Sequence, residues 1–362
     1  MKMTTALLAL LFAAVPGTAS AARSQVDVVF VLDTTGSMSS LIEGAKQKIW
    51  SIANGIAAGK PAPRIRMGLV AYRDKGDAYV TRTFDLTSNL DKMYEDLLSL
   101  RADGGGDGPE HVLQALQDSV DRMSWSKGPG AFKVVYLVGD APAHQEYGDT
   151  PALEKLVESA VRKGVTVNTV QCGSQPDTEE QWRRIARLGE GRYLPIPQSG
   201  GMVSTTTPFD DRIAELNRRI ERTMLAYGAR RGEAESRFSL ARKMSASISG
   251  AAAADRAVFA MSSVADRELD LVQAVEEKKV DAGSLESASL PAPLQGLSAE
   301  ERRRQVEKLS SERAALKRQL AELSGKRAEY LKTRAPDKSK DSFDARLMES
   351  LKEQAGKKGI LY

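Results

Sequence analysis

Residues 27–38 read Asp-Val-Val-Phe-Val-Leu-Asp-Thr-Thr-Gly-Ser-Met. An apolar run ends in Asp33, and Thr35 and Ser37 follow at alternate positions. A carboxylate and two hydroxyls leaving a strand end together are hard oxygen donors, the kind a hard cation takes. Two other stretches offer acids. A glycine-rich loop beginning at Asp103 contains Asp107 and Glu110, and Asp140 directly follows the apolar run Phe132 to Val138 and Gly139. Each is weak alone, because an acid after a strand is commonly just a cap. Together they are a constellation, provided the elements deliver all three to one place.

The pattern from about 25 to 197 alternates strand and helix. Val26 to Leu32, Ile65 to Tyr72, Phe132 to Val138 and Val165 to Val170 are strand runs, with Ala78 to Phe84 an edge candidate and Tyr193 to Ile196 a last short strand. Leu41 to Ile56, Leu90 to Leu100, His111 to Met123, Ala152 to Arg162 and Glu179 to Leu188 carry helical spacing. Repeated units of this kind predict an α/β fold with a doubly wound, mostly parallel sheet. Ligands of such sheets bind at the carboxyl ends of the strands, where the three acid features converge.

Strand signals stop after a polar break at 198–206. Residues 207–280 read as a helical region and 281–297, with Gly283, Pro291, Pro293 and Gly296, as a linker. Ser298 and Glu301 form a capping box. Leu309, Leu316, Leu323 and Tyr330 then recur every seven residues, a coiled-coil-like seam over 298–334 in which Arg313 and Arg327 occupy apolar positions. That predicts a helical hairpin or loose bundle rather than a parallel zipper. Residues 335–362 read as a mobile tail with a short helix.

Composition excludes several classes. The net charge of +4 and 6% aromatics give no sign of nucleic-acid binding. Residues 1–21 read as a signal peptide, with Lys2, the apolar run Ala6 to Val15 and Ala19-Ser20-Ala21 before the cleavage point. No later stretch is apolar and long enough to span a bilayer, so the expectation is an exported chain of the bacterial periplasm or exterior. The lone Cys172 is expected as a small core residue without a disulfide. Two histidines are too few for a zinc site, and His144 is read as a solvated loop residue at the edge of the metal face. The glycines at 104–106 lack dinucleotide spacing, Thr35 stands where a phosphotransferase has a second Asp, and no Ser-His-Asp set can be assembled.

Asp33-x-Thr35-x-Ser37, with Asp140 after the fourth strand, resembles the metal ion-dependent adhesion site of von Willebrand factor A domains. Val70-Ala71-Tyr72-Arg73-Asp74, Gly104-Gly105-Gly106-Asp107 with Pro109-Glu110, and Gly139-Asp140-Ala141-Pro142-Ala143-His144 look like an exported bacterial branch of that family. The resemblance covers about 25–200. It implies Mg²⁺, with Ca²⁺ or Mn²⁺ as alternatives. Thr35 and Ser37 would ligate directly, Asp33 and Asp140 would hold metal-bound waters, and one position would remain for a protein partner, often through an acidic side chain. Thr34, Gly106 and His144 would line the rim. Many family members have a Thr in the third loop. Here the candidates are Asp107 and Glu110, and the sequence leaves both open. Either acid makes the site more anionic and weakens its pull on an acidic ligand. The expectation is a non-enzymatic, metal-dependent protein-binding module, with self-association through the C-terminal helices as an additional use. A structural envelope component driven by its helices, and a metal-assisted hydrolase, are the alternatives.

Overall fold

The computed structural model describes residues 24–106, 108–128, 130–334 and 341–362. The expected leader, 1–21, lies outside them. The alternating pattern folds into β1 Gln25–Asp33, β2 Arg64–Tyr72, β3 Thr81–Thr87, β4 Ala131–Gly139, β5 Val165–Cys172 and β6 Glu190–Ile196. These form one sheet in the order β3-β2-β1-β4-β5-β6. All neighbours are parallel except β3, which runs antiparallel to β2 at the edge. The central strands β1 and β4 are buried almost throughout, as continuous apolar runs require when both faces are covered. Register sets Asp33 beside Tyr72 and Leu32 beside Val138, so β1, β2 and β4 end at the same edge.

The helices are α1 Ser39–Ala57, α2 Leu90–Ser99, α3 Val112–Asp121, α4 Leu153–Arg162, α5 Pro176–Leu188, α6 Asp210–Arg222, α7 Arg231–Ser247, α8 Gly250–Ser262, α9 Val264–Arg267, α10 Leu271–Glu276, α11 Ala299–Arg334 and α12 Phe343–Gly356. One sheet face packs on α3, α4 and α5 through residues such as Val29, Leu116, Leu137, Val157 and Trp182. The other packs on α1, α2 and, unexpectedly, α12.

The short helix expected within the tail 335–362 is α12, but it is packed on the sheet rather than mobile; residues 335–340 lie outside the described set. Phe343, Leu347, Leu351 and Ala355 recur every four residues, one stripe of a helix, and all are buried against the sheet with Phe30 and Tyr136. The hydroxyls of Tyr136 and Ser350 are 2.9 Å apart, and Asn168 and Gln354 exchange amide hydrogen bonds of 3.0 and 2.7 Å. Lys60 and Leu361 exchange backbone hydrogen bonds. The charged run ahead of the helix masked this stripe in the sequence. The sheet unit therefore draws on two stretches of chain, and the region 207–334 is inserted between them.

In the insertion, Ser298 N donates to Glu301 and Glu301 N to Ser298 Oγ, the reciprocal pair of a capping box. The seam of α11 packs on α6, α8 and α10 of its own chain. Arg313 and Arg327 lie in that seam because acids from elsewhere meet them. Arg313 pairs with Asp270 and donates to Thr223 Oγ1 and O at 2.7 Å. Arg327 pairs with Asp210 at 2.7 Å and Asp255 at 2.8 Å. The expected linker 281–297 is also corrected: Ala282, Leu290 and Leu294 are buried with Leu225, Leu271 and Val306. Among the described residues no helix is long and apolar enough to cross a membrane.

Candidate functional site

Asp33 ends β1 and is fully buried. Its Oδ1 accepts from Thr35 N at 2.8 Å and Thr35 Oγ1 at 2.7 Å, a local turn of the kind a short Asp or Asn side chain makes. Its Oδ2 is buried without a hydrogen-bond partner among the described residues. Gly139, at the end of β4, allows this: a Cβ there would stand 3.0 Å from Asp33 Cβ. Thr35 is buried and Ser37 exposed, with their hydroxyl oxygens 3.4 Å apart. Asp140, just past β4, accepts from Gln198 Nε2 at 2.7 Å.

The glycine loop closes over this turn. Gly36 N donates to Gly104 O, and Asp103 N to Thr34 O. Gly105 has φ +82°, and a Cβ on it would lie 3.2 Å from Thr35 Cβ and 3.7 Å from Glu110 Oε1. Thr35 and the Glu110 carboxyl therefore flank Gly105, whose positive φ and close approach to Thr35 favour glycine there. Glu110 is pinned by its backbone: its N–H donates to Pro142 O, and its carbonyl accepts from His144 N. Glu110 is 3% exposed, yet its Oε2 has no partner among the described residues. Of the two acids the sequence left open, Glu110 is buried and its carboxyl lies beside Gly105 of the glycine loop. Asp107 lies outside the described residues.

Electrostatics follow from this crowding. Burial pushes the Asp33 carboxyl up to about 7, with the neighbouring Asp140 adding to the rise and the Thr35 hydrogen bonds opposing it. Burial first, then the charges of Asp33, Asp74, Asp77 and Asp140, together push Glu110 up to about 9. Buried acids that repel one another, two with an orphaned oxygen, suit a divalent cation, which supplies the missing partner and the missing charge. The donors are all oxygen, the set for Mg²⁺, Ca²⁺ or Mn²⁺. Among the described residues no three His, Cys, Asp or Glu side chains stand close enough to hold a metal by themselves. Any cation here depends on the hydroxyls of Thr35 and Ser37.

The expected rim changes. Gly106 is exposed. Thr34 is buried, its hydroxyl donating to Tyr72 O at 2.9 Å and lying 2.7 Å from Tyr79 Oη, so it braces the loop instead. His144 is buried rather than solvated: its ring stacks on Tyr147 with centroids 4.2 Å apart and lies 3.5 Å from Asp74. The post-β4 loop folds back over Glu110, which takes His144 out of solvent. Sequence reasoning missed Asp74 and Gln198 as neighbours of the site. Asp74 carried the same signal as Asp33, an acid just past a buried strand; Gln198 carried none. Cys172 is buried and free, and burial raises its thiol.

Comparison with known proteins bears on the same stretch. A family model for the von Willebrand factor A domain matches residues 27–207, half of the chain. The chain is 32% identical over 121 residues to "Alpha-protein kinase vwkA" of Dictyostelium discoideum, covering 33% of this chain and 19% of that protein. It is 39% identical over 88 residues to human "von Willebrand factor A domain-containing protein 7", covering 24% and 9%. The match thus spans a fifth or less of each of these relatives. Among solved structures, the SpRpn10 VWA domain is 14% identical, with a TM-score of 0.37, over 48% of this chain and 89% of that one. BatB from Bacteroides thetaiotaomicron is 15% identical, with a TM-score of 0.35, over 48% and 90%. With the family model spanning the sheet and the loops that carry Asp33, Glu110 and Asp140, the chain belongs to the von Willebrand factor A domain family.

Proposed function

We propose that this chain is an exported, divalent-metal-dependent protein-binding module acting through a metal ion-dependent adhesion site at the carboxyl edge of its sheet. The observation that carries this reading is the orphaned, buried Asp33 Oδ2 beside the Thr35 and Ser37 hydroxyls. Thr35 and Ser37 would donate hydroxyl oxygens to Mg²⁺, Asp33 and Asp140 would hold its waters, and Glu110 would stand in place of the family's usual Thr. The bound ion would supply a positive charge and a coordination position at the exposed Ser37 side of the loop, open to an acidic side chain of a protein partner. The role is binding rather than catalysis, in the bacterial periplasm or outside the cell. The test is capture of partners from a host envelope extract in Mg²⁺ or in EDTA, using wild type, Asp33→Ala and Asp33→Asn. Capture that survives both EDTA and the Asp33 variants ends this reading. Loss of capture together with loss of metal-induced thermal stabilisation supports it.

A further inference from the structure

We infer that the partner segment met at this edge is basic: lysine or arginine side chains on it pair with Asp77, Asp103 and Glu146, around the position held open for its single carboxylate. This rests on the metal-dependent reading above and names the chemistry of its partner.

These three acids reach the site from three loops. Asp77, in the turn after β2, accepts through Oδ2 from Asp74 N at 3.3 Å and Gly105 N at 3.4 Å, and a Cβ on Gly104 would stand 2.1 Å from its Oδ1. Asp103 opens the glycine loop; its Oδ1 accepts from Gly104 N at 3.0 Å, and its side chain is 81% exposed. Glu146 comes from the loop after β4, with a side chain 69% exposed and its Oε1 2.5 Å from His144 Nδ1. His144 in turn donates its backbone N–H to Glu110 O, which ties that loop to the site. Inside this rim, Asp33 Oδ2, Asp74 Oδ1 and Glu110 Oε2 are buried without hydrogen-bond partners among the described residues.

The cationic side chains at this edge do not neutralise it. Arg73 donates to Thr34 O and Arg101 O and stands 3.9 Å from Asp103. Lys75 pairs with Asp149 at 2.6 Å and lies over the Tyr147 ring. Arg101 adds a single exposed guanidinium against the three rim carboxylates. Behind the rim, Asp33, Glu110 and Asp140 carry three charges when ionised, one more than a divalent ion offsets. A partner bringing only carboxylates would meet a field of its own sign, and like charges facing one another across an interface cost affinity. A segment with one carboxylate for the ion and basic side chains on either side matches both the centre of this surface and its edge.

The experiment probes a peptide array with the labelled full chain in Mg²⁺. Each peptide carries one central aspartate, or an asparagine as control, in a glycine-serine backbone flanked by lysines, serines or glutamates. Lysine-flanked aspartate peptides should retain roughly tenfold more chain than serine-flanked ones, the gain of three exposed ion pairs, and glutamate-flanked peptides should retain least. Added NaCl should erode the lysine preference. The triple variant Asp77→Asn, Asp103→Asn, Glu146→Gln keeps an acceptor oxygen at each position. It should lose the lysine preference with its Mg²⁺-induced thermal stabilisation unchanged. Equal retention by lysine- and serine-flanked peptides, or a lysine preference that survives in the triple variant, overturns the inference. If lysine-flanked peptides bind equally with aspartate or asparagine and in EDTA, while the triple variant loses them, the adhesion-site reading fails and the basic partner stands.

Discussion

In the metal-free fold both Asp33 and Glu110 are held toward their protonated forms, at about 7 and about 9 against ordinary values of 3.8 and 4.5. The sign of the consequence is fixed. A folded-state carboxyl raised in this way contributes its full stability below the unfolded value and loses it as pH rises through the folded one. In EDTA, stability should therefore fall between about pH 4 and pH 9, and Asp33→Asn should fall less. At pH 8 the Asn variant should be the more stable by about 1–3 kcal/mol, read from urea midpoints. Mg²⁺ should reverse the order, because only the wild type can exchange its protons for the ion. Equal pH slopes for the two proteins in EDTA would show that Asp33 is not strained. These residues were legible in advance in unequal degree. Asp33, Thr35, Ser37 and Asp140 announce themselves by following buried strands. Glu110 was one of two options because a loop's register cannot be counted from sequence. Asp74 was passed over because its partners, Tyr147 and His144, are brought in by a loop far along the chain.

Among the elements, α11 shows most clearly how a local pattern and a tertiary partner divide the information. Its heptads marked Arg313 and Arg327 as misfits for a zipper, and the acids that accommodate them are supplied by other helices and by the turn before α10. Arg313 is 2% exposed, so its loss leaves the Asp270 charge buried. Arg313→Met should cost about 3–5 kcal/mol in urea denaturation. Adding Asp270→Asn should recover part of that loss, since the amide keeps an oxygen for Leu225 N and Val272 N while removing the charge. No recovery in the double variant would mean that the arginine matters for its packing alone. Helix α12 poses the opposite problem. Its four-residue stripe is regular, but a charged run stands ahead of it, and nothing local says that a sheet laid down far upstream is waiting. Leu351→Ala, in the core and fully buried, should cost about 2–5 kcal/mol.

At the scale of the whole molecule, a sheet unit interrupted by residues 207–334 resists dissection at the boundary the sequence suggests. A fragment of 24–207 leaves Phe30, Tyr136 and their neighbours without the cover of α12. It should be expanded or aggregated, and adding a peptide of residues 341–362 should restore a cooperative thermal transition. A fragment that melts cooperatively alone would refute the two-part unit. The sheet order and site edge were legible because alternation and strand-end acids are local signals. The interruption was not, because it is a pairing between distant stretches. The backbone exchange between Lys60 and Leu361 also gives this protein a timetable. A ribosome must translate past residue 361 before the strand edge at Lys60 can find this neighbour. The strands that carry Asp33 and Asp140 thus wait uncovered while the inserted helices are made, and a chain cut short after residue 340 would carry every proposed ligand of the site on a sheet that lacks its final helix.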